Sequence, residues 1–421
     1  MNPTPGSNRK VTIIGAGVVG MACAVHLQRD GHQVTVVDRD APGQGCSFGN
    51  AALLVPTYCV PLSMPGTMWN VPGWLLDPLS PLSIRWRDMA VLTPWFLRFI
   101  LAGSHARSGA SSKALRALHE NCVGDFQSFF ASMGAGGAGN LISKHGIIYA
   151  YESQKNFNKA SGDWQIIRQL GGVVEVMGAE QIQEMAPGIS PACRNAVFMP
   201  EDGQVASPLL IVETLAAELL ANGGTILKHE VRDIEIGTDG PARLICDGET
   251  LDLDVLVVAA GALSAKFAAR LGSKVPLVGE RGYHVTLPDP GLKLTHPVMS
   301  GDCKFAITSI EQGLRAAGTA EFASLDAPPN YARAQVLLKH LKRIFPGVNT
   351  EGYSEWMGMR PSLPDSLPVI GASPHFKNAL FAFGHGHAGL MGSVITGRSI
   401  ADLVRGRTPT LDLEPFRVDR F

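Results

Sequence analysis

The chain has 421 residues, a length that indicates two domains, each able to bury a hydrophobic core of its own. Lys and Arg together number 36 and Asp and Glu 37, a balance that argues against nucleic-acid binding and against a strongly basic membrane-binding surface. The expected partner is therefore a small molecule.

The 7 cysteines are scattered without CxxC or Cys/His metal-binding spacing, and their odd number fits thiols that are kept reduced. We therefore predict a cytoplasmic protein with no structural metal. The opening residues MNPTPGSNRK lack the apolar segment of a signal peptide and are expected to be a disordered lead.

The chain then opens with a βαβ pattern. A strand at Val11–Ile14 is followed by a glycine turn and by a helix that ends at Gly31. A second strand at Gln33–Val37 closes with Asp38. This order predicts the start of a nucleotide-binding sheet.

The turn GAGVVG has the glycine spacing of a dinucleotide-binding site. Gly15 would make the tight turn, Gly17 would let the backbone approach a pyrophosphate, and Gly20 would allow close packing of helix on strand. Amides at the helix start then face the phosphates, and Asp38 can accept hydrogen bonds from an adenosine ribose. The alternative is a tight turn without a ligand.

A loop of small residues, RDAPGQGCSFGNAALL, begins beside Asp38 and suits the ribityl chain of FAD, with Ser47, Asn50 and Ala51 beside the isoalloxazine. Near the carboxyl end, FAFGHGHAGLMGSVITGRSIADLV predicts a strand, a glycine-histidine loop and a helix whose amino end could stabilise a reduced, anionic flavin. An NAD-binding domain has no need of this returning segment, so we predict FAD. The predicted FAD contacts are Gly15, Gly17, Val18, Val19, Gly20, Asp38, Arg39, Ser47, Asn50, Ala51, Ala52, Val231, Ala260, Gly261, Gly358, Gly384, His385, Gly386, His387, Ala388, Gly389 and Leu390.

The most apolar segment, Met89–Gly103, is shorter than the roughly 18 residues that a membrane-spanning helix needs. A buried helix in a substrate domain explains its pattern. The alternative is an amphipathic element that, with Trp69, Trp74 and Trp86, rests on the cytoplasmic face of the inner membrane as a peripheral contact.

Later segments alternate in type. Pro208–Ala221 is predicted to be a helix, and the continuously apolar Val255–Ala259 a central parallel strand. Strands at Val278–Leu287, Cys303–Ile310 and Gly313–Phe322 are expected to be antiparallel. The predicted fold class is α/β with an α+β second domain, in which a discontinuous, Rossmann-like FAD-binding domain (residues 1–58, 196–275 and 352–421) carries an inserted antiparallel-sheet substrate-binding domain (residues 59–195 and 276–351).

Seven motifs occur in an order that resembles the D-amino-acid oxidase-like FAD-dependent oxidoreductases: GAGVVG, GCSFGNAA, DVLVVAAGALS, PLVGERGYHV, AGTAEF, WMGMRPSLPDSLPVIG and GHGHAGLMGS. Within that family the chain looks most like the bacterial D-amino-acid dehydrogenases of the small-subunit type. The resemblance covers nearly the whole chain. It implies a two-domain fold in which the flavin ring faces an antiparallel sheet.

Two positions depart from the family pattern. Asp38 stands where the family more often has Glu, which should leave the ribose contact intact. In the related sarcosine oxidases, a cysteine just before the proline-aspartate segment joins the flavin covalently, whereas this chain has Gly358, Met359 and Arg360 there. We therefore expect non-covalent FAD.

Oxidation of an amino acid by a flavin requires that the protein fix the substrate carboxylate and place the Cα hydrogen over the flavin N5. Arg360 is the predicted clamp, because a planar guanidinium binds a carboxylate in a bidentate way. The resemblance points to the same residue. The alternative is an interdomain salt bridge.

Tyr283 and His284 are candidate catalytic residues on a strand that is expected to face the flavin, where alternation lets only one of them enter the site. We expect Tyr283 to donate to the carboxylate, while His284 would take a proton from the ammonium or fill a sheet position. Glu280 and Arg281 are a candidate structural ion pair.

His385 and His387 stand among glycines, which favours a backbone role near the flavin over general-base catalysis. No third ligand is spaced for a metal.

The predicted reaction is hydride transfer from a D-amino acid to FAD, which gives an imino acid that water converts into a 2-oxo acid and ammonia. The resemblance implies that a quinone or another carrier takes the electrons, and oxygen use stays open. Alternative substrates are D-proline, D-hydroxyproline, sarcosine and glycine. Alternatives of other classes are a flavin-binding subunit of a hetero-oligomeric electron-transfer complex and an NAD-dependent dehydrogenase. The sequence is compatible with a homo-oligomer or a hetero-oligomer.

Overall fold

Two large sheets organise the part of the chain that this computed structural model describes, residues 8–66, 71–133 and 141–421. Residues 1–7 of the predicted lead, and Trp69, lie outside it. The strands are β1 Lys10–Ile14, β2 Gln33–Asp38, β3 Leu53–Leu54, β4 Leu82–Ile84, β5 Ile142–Ser143, β6 Ile147–Tyr151, β7 Glu175–Met177, β8 Asn195–Met199, β9 Gly203–Val205, β10 Thr225–Lys228, β11 Val231–Ile236, β12 Pro241–Cys246, β13 Thr250–Asp252, β14 Val255–Val258, β15 Val278–Leu287, β16 Val298–Ser300, β17 Phe305–Ile310, β18 Gly313–Phe322, β19 Ser354–Ser362, β20 Val369–Ala372 and β21 Ala379–Phe383. The helices are α1 Val18–Arg29, α2 Val71–Leu76, α3 Met89–Ala102, α4 His105–His119, α5 Cys122–Ala131, α6 Gln154–Gln169, α7 Ala179–Met185, α8 Pro208–Ala221, α9 Ser264–Arg270, α10 Ala332–Ile344 and α11 Ser393–Arg405.

The first sheet has the strand order β10-β2-β1-β14-β21-β20, and its pairs are parallel except for β20 with β21. All 4 residues of β14 are buried, as a central strand covered on both faces requires. α1 packs with α8 and α11 on one face, and the small sheet β11-β12-β13 packs on the other. The predicted Rossmann-like sheet is confirmed.

The second sheet has the order β19-β15-β18-β17-β16-β6-β8-β7, with β4 paired beside β18. Most of its pairs are antiparallel, as predicted, but β16 with β6 and β18 with β4 are parallel. The sheet is therefore mixed. β19, β15 and β18 are its longest strands, and they form the end of the sheet that faces the first one.

Two strands of the second sheet lie in segments that the sequence analysis assigns to the FAD-binding domain. β8 begins at Asn195, and β19 covers Ser354–Ser362. β8 pairs with β6 and β7, and β19 pairs with β15. The amino-acid composition does not change where these segments begin. Pairing with strands that are distant in the sequence decides which sheet they join. The other domain boundaries stay predictions.

The predicted apolar helix is present as α3, but it is buried on one face only. Leu92 and Trp95 are buried and pack against Phe322. Among the residues that the structure describes, no helix combines the length and the apolar character needed to cross a bilayer. Peripheral membrane contact stays a prediction. The opposite face of α3 exposes Val91, Leu97, Ile100 and Leu101.

A buried arginine joins the loop at residues 47–52 to the second sheet. Arg315 on β18 is 3% exposed, and its Nη1 donates to the carbonyl oxygens of Phe48 and Asn50 at 2.9 and 2.8 Å. Its Nε donates to Thr286 Oγ1 at 3.3 Å. Burial lowers the pKa of Arg315 to about 10, and the group stays protonated at neutral pH.

Arg315→Met is expected to lower the free energy of unfolding by about 2–4 kcal/mol, because two buried carbonyls lose a charged donor while the side-chain volume changes little. Chemical denaturation of the holoprotein measures this. Exposed Arg232, which pairs with Glu230 at the surface, offers the control. Its change to Met should cost less than about 0.5 kcal/mol. An equally small cost for Arg315→Met would contradict the role of Arg315.

A buried carboxyl group anchors the chain just after β3. Thr57 Oγ1 lies 2.9 and 3.0 Å from the two carboxyl oxygens of Asp202, and the Thr57 amide donates to the same group at 3.3 Å. Burial raises the pKa of Asp202 to about 8, although the hydrogen bonds from Thr57 oppose the shift. The folded protein therefore holds this carboxyl group protonated at neutral pH.

Asp202 should make stability depend on pH. Between about pH 4 and about pH 8 the folded state holds one proton more than the unfolded state, so this group's contribution to the unfolding free energy falls by about 1.4 kcal/mol per pH unit. Asp202→Asn removes the titration. Between about pH 5.5 and about pH 7.5, denaturation should show the variant gaining about 2–3 kcal/mol relative to the wild type. A difference that does not change with pH would contradict the raised pKa.

Candidate functional site

A cleft of about 520 Å³ runs along the carboxyl ends of β1, β2 and β14 and continues to the loop after β21. Ligands of open α/β sheets bind at this edge. The cleft brings together most of the predicted cofactor contacts: Gly15, Gly17, Val18, Val19, Asp38, Arg39, Ser47, Asn50, Val231, Ala260, Gly261, Gly358, Gly384, His385, Gly386, Gly389 and Leu390.

Two glycines of the glycine turn have no room for a side chain. A Cβ on Gly15, whose φ is +112°, would lie 2.4 Å from the Ala259 carbonyl oxygen. A Cβ on Gly20 would lie 2.0 Å from the Gly15 carbonyl oxygen. Gly20 does not line the cleft. Its lack of a side chain lets α1 pack against the turn. The amides at the start of α1 can therefore approach a pyrophosphate closely.

Asp38 and Ser47 are fixed by backbone amides around this turn. Asp38 accepts from the amides of Ala16 at 2.7 Å and Asp40 at 3.0 Å, which orients its carboxylate at the end of β2. Ser47 Oγ accepts from the amide of Val18 at 3.0 Å. Gly17, the residue before α1, has no side chain to cap the helix, so Ser47 satisfies an amide at the phosphate-binding end.

Four further predicted contacts also lie off the cleft, namely Ala51, Ala52, His387 and Ala388. Ala52 is fully buried at a φ of +65°, and its amide donates to Asn50 Oδ1 at 2.8 Å. The side chain of Asn50 thus shapes the loop. Ala52 is buried behind the loop residues that line the cleft.

The second wall of the cleft comes from β19, where Met359 and Pro361 line it on either side of Arg360. Arg360 Nη1 donates to Glu280 Oε1 at 2.9 Å and to the Thr319 carbonyl at 2.9 Å, and Nη2 donates to the Gly318 carbonyl at 3.3 Å. Arg360 does form a salt bridge, as the alternative interpretation expected, and its partner Glu280 lies on the neighbouring strand of the same sheet.

Two local features make room for the guanidinium. A Cβ on Gly282 would lie 2.1 Å from Arg360 Nη2, so the guanidinium lies directly over this glycine. The pairing of β15 with β18 also shifts register between Arg281 and Tyr283, and Thr319 has a φ of +54° at this bulge. A β-branched residue in that conformation is strained. The bulge turns the Thr319 carbonyl toward Arg360.

Glu280 is the centre of this cluster and is 1% exposed. Besides Arg360, it accepts from Ser362 Oγ at 2.8 Å and lies 3.0 Å from His387 Nε2. Burial alone would raise its pKa, but the charges and hydrogen bonds of these partners hold the pKa of Glu280 at about 2. Trp95 of α3 donates to the Ser362 carbonyl at 3.2 Å, which ties α3 to the cluster.

The structure corrects the expected orientation of Tyr283. Its hydroxyl donates to Glu321 at 2.5 Å, and its ring is buried in the core beneath α10, on the face opposite Arg360. Register explains this, because Glu280 pairs with Arg360 across β15 and β19, which puts Tyr283 on the other face. The expected ion pair of Glu280 with Arg281 is also wrong, because neighbouring residues of a strand point to opposite faces of the sheet.

His284 lies on the Arg360 face, but its ring is enclosed. It stacks on Trp356 with a centroid distance of 5.0 Å and an interplanar angle of 14°, and its Nδ1 lies 3.3 Å from the Gly49 carbonyl oxygen. Burial lowers the pKa of His284 to about 3, so the ring is neutral. A Cβ on Gly49 would lie 1.8 Å from the Trp356 ring. The sequence analysis missed Trp356, whose place depends on this glycine.

The helix that was predicted to start within the glycine-histidine loop after β21 begins later in the chain. α11 starts only at Ser393, and a short 3-10 turn at Gly386–Ala388 occupies the predicted position. His385 is buried, and its Nε2 lies 2.9 Å from Thr396 Oγ1. Burial lowers the pKa of His385 to about 3. Among the described residues, no group of His, Cys, Asp and Glu could hold a metal ion.

The model of the DAO family of FAD-dependent oxidoreductases matches residues 10–403. The chain belongs to this family. It binds FAD, and the alternative of an NAD-dependent dehydrogenase is wrong. The glycine turn, oriented Asp38 and glycine-lined loop after β21 fit this cofactor.

Curated relatives match almost end to end. A D-amino-acid oxidase of Bradyrhizobium diazoefficiens is 35% identical over 98% of this chain and 99% of its own length. A D-amino acid dehydrogenase of Paramagnetospirillum magneticum is 32% identical over 98% of this chain and 99% of its own length. The solved glycine oxidase from Geobacillus kaustophilus shares the fold, with a TM-score of 0.73 at 22% identity over 99% of this chain and 100% of that one.

Proposed function

We propose that this protein oxidises D-amino acids to 2-oxo acids and ammonia and passes the electrons to a quinone or another carrier. The observation that supports the proposal most is the position of Arg360 beside the FAD cleft, between Met359 and Pro361, which line it. Relatives at 35% and 32% identity that are named as a D-amino-acid oxidase and a D-amino acid dehydrogenase support the same substrate class.

A count of the hydrogen bonds supports the proposal that Arg360 binds the substrate carboxylate. A guanidinium carries five N–H groups. Both hydrogens of Nη1 are used, on Glu280 and the Thr319 carbonyl, and one hydrogen of Nη2 goes to the Gly318 carbonyl. The Nε hydrogen and the other Nη2 hydrogen have no partner among the described residues. Bidentate binding of a carboxylate needs two such N–H groups of one guanidinium.

The protein groups divide the work of the reaction. The glycine turn and Asp38 would hold the adenosine diphosphate part of FAD, while Ser47 and the loop after β21 would border the rest of the cofactor. FAD, when bound, supplies the acceptor for the two electrons and the hydrogen that leave Cα. Arg360 fixes the carboxylate so that Cα approaches the cofactor in one orientation. The imino acid that remains is hydrolysed by water.

FAD is expected to be non-covalent, since Gly358, Met359 and Arg360 offer no thiol. Cys46 lines the cleft, but burial raises its pKa to about 11, which leaves it an unreactive thiol at neutral pH. Acid precipitation should therefore release the flavin into the supernatant, where its visible absorbance is measured. Flavin that stays with the precipitated wild type and is released from Cys46→Ser would contradict this expectation.

Steady-state assays with the purified holoprotein test the proposed reaction. Each turnover with a D-amino acid should reduce one equivalent of a two-electron quinone analogue and release one ammonia and one 2-oxo acid. Activity by the isolated protein would argue against a purely electron-relaying subunit. Peroxide formation in place of quinone reduction would identify oxygen as the acceptor. Cofactor reduction without ammonia would contradict the proposed chemistry.

A further inference from the structure

The side chain of His387 has no role in the reaction described so far. Its backbone belongs to the 3-10 turn Gly386–Ala388, and Gly386 lines the FAD cleft. Its ring turns toward the second sheet, where Nε2 lies 3.0 Å from Glu280 Oε1. The His387 side chain is 32% exposed, whereas the carboxylate of Glu280 is 1% exposed. One edge of the imidazole is therefore anchored in the protein interior.

This contact fixes which nitrogen of His387 carries the hydrogen. A carboxylate that pairs with the Arg360 guanidinium at 2.9 Å is held in its ionised form and can only accept hydrogen bonds. In the neutral ring, Nε2 must then be the donor, and Nδ1 keeps its lone pair. Among the described residues, Nδ1 has no hydrogen-bond partner. The carboxylate-imidazole pair has the arrangement that orients a general base in many enzymes.

We propose that His387 Nδ1 takes the ammonium proton of the bound amino acid and that Glu280 positions the ring for this step; the inference rests on the proposed function. The N–H bond of the ammonium breaks, its electron pair stays on nitrogen, and the proton forms a new bond to Nδ1. The neutral amine can then stabilise the positive charge that develops as the hydride leaves Cα. The proton later passes from His387 to water.

The spacing of the two substrate groups supports this assignment. Arg360 Nη1 and His387 Nε2 lie 2.9 and 3.0 Å from the same oxygen of Glu280, so the guanidinium and the imidazole are direct neighbours. In an α-amino acid the carboxylate and the amine are attached to one carbon. We therefore expect a substrate whose carboxylate binds Arg360 to bring its amine toward the neighbouring His387.

The charged and titratable groups around His387 leave few other candidates for this step. Glu280 is ionised throughout the neutral range, and the guanidinium of Arg360 is its cationic partner. Cys46 and Tyr58 feel the charges of both residues, but burial raises the pKa of Cys46 to about 11 and raises that of Tyr58 further. Neither can accept a proton at neutral pH. The pH profiles of the wild type and of His387 variants can therefore be compared in this range.

His387→Gln tests the proton transfer directly. Anaerobic stopped-flow reduction of the flavin near neutral pH should slow by about 10²–10⁴-fold, because the variant must wait for substrate that already carries a neutral amine. Above the ammonium pKa of the amino acid, the rate should recover to within about threefold of the wild type. The exposed His145 lies away from the site, and His145→Gln should match the wild type at every pH.

Two measurements separate loss of the base from damage to the site. The flavin content of His387→Gln should equal that of the wild type. Its affinity for benzoate, a carboxylate without an amine, should stay within about threefold when it is followed through the flavin spectrum. Imidazole added to His387→Ala should restore part of the reduction rate.

Glu280→Gln tests the positioning residue. The amide oxygen can still accept from Arg360 and His387, but the charge that stabilises a protonated imidazole is gone. The acidic limb of the pH profile should move to lower pH, and the maximal reduction rate should fall by about tenfold or more. A merely structural role would leave the shape of the profile unchanged.

The proposal is overturned if His387→Gln reduces its flavin at the wild-type rate with the wild-type pH profile, or if its slow rate does not recover at high pH. Failure of the proposed function looks different. In that case the wild type itself would not be reduced by any D-amino acid, although dithionite would still bleach its flavin.

Discussion

Arg360→Lys is expected to lower kcat/KM for D-amino acids by about 10²–10³-fold, with most of the loss in KM. Lysine keeps a positive charge opposite the buried Glu280 but lacks the planar edge formed by Nε and Nη2. Two charged hydrogen bonds to the substrate carboxylate are lost together. Initial rates over a range of substrate concentrations, with reductive half-reaction kinetics, separate binding from chemistry.

The choice of lysine matters for this test. Arg360→Ala would leave Glu280 buried beside an empty position, and a lost partner of a buried ion pair costs about 3–5 kcal/mol in stability. A fall in activity could then reflect unfolding. Arg243→Lys is the matched control, because Arg243 pairs with Glu235 at the surface. An unchanged KM for Arg360→Lys would show that another residue holds the carboxylate.

Gly20→Ala is expected to abolish FAD binding and to yield a colourless or insoluble protein. The added Cβ would lie 2.0 Å from the backbone oxygen of Gly15, so α1 and the phosphate-binding turn must separate. That movement takes the amides at the helix start away from the pyrophosphate. The flavin-to-protein absorbance ratio of the purified variant measures the effect.

Gly162→Ala is the control for this substitution. Gly162 lies within α6, and a Cβ there meets nothing within 4 Å. Because alanine favours a helix more than glycine by about 1 kcal/mol, the control should bind FAD normally and be slightly more stable. A Gly20→Ala protein with a full complement of FAD would contradict the close approach of helix and turn.

The first sheet could be predicted closely because its signals are local. The apolar run of β14, the turn beginning at Gly15 and the bounds of α8 depend on short stretches of sequence, and the structure has them where they were predicted. Arg360 was singled out from the sequence because its residue type and its neighbouring motif suit a carboxylate clamp, and this role stays a prediction.

The second wall of the site could not be predicted in the same way. Alternation shows that Tyr283 and His284 point in opposite directions, but only the register of β15 with β19 decides which one joins Arg360. A bulge at Thr319 in β18 also disturbs the pairing of β15 with β18. A one-residue shift of register would exchange the two faces, and nothing local in the sequence fixes it.

The contact between Glu280 and His387 could not be predicted either, because the two residues are far apart in the sequence. The histidine lies in a glycine-rich loop, which suggested a backbone role for it. Its ring instead meets a carboxylate on β15 of the other sheet. In the fold, Arg360 and His387 contact the same carboxylate oxygen of Glu280. This arrangement becomes visible only when β15, β19 and the loop after β21 come together.

Anaerobic titration of the bound flavin with matched D- and L-enantiomers is the most direct test of the central claim. D-Alanine, D-proline and larger D-amino acids form the panel, with glycine and sarcosine as achiral members. We expect at least one D-enantiomer to bleach the flavin fully while its L-enantiomer does not. Bleaching by no D-amino acid, with normal reduction by dithionite, would contradict the account.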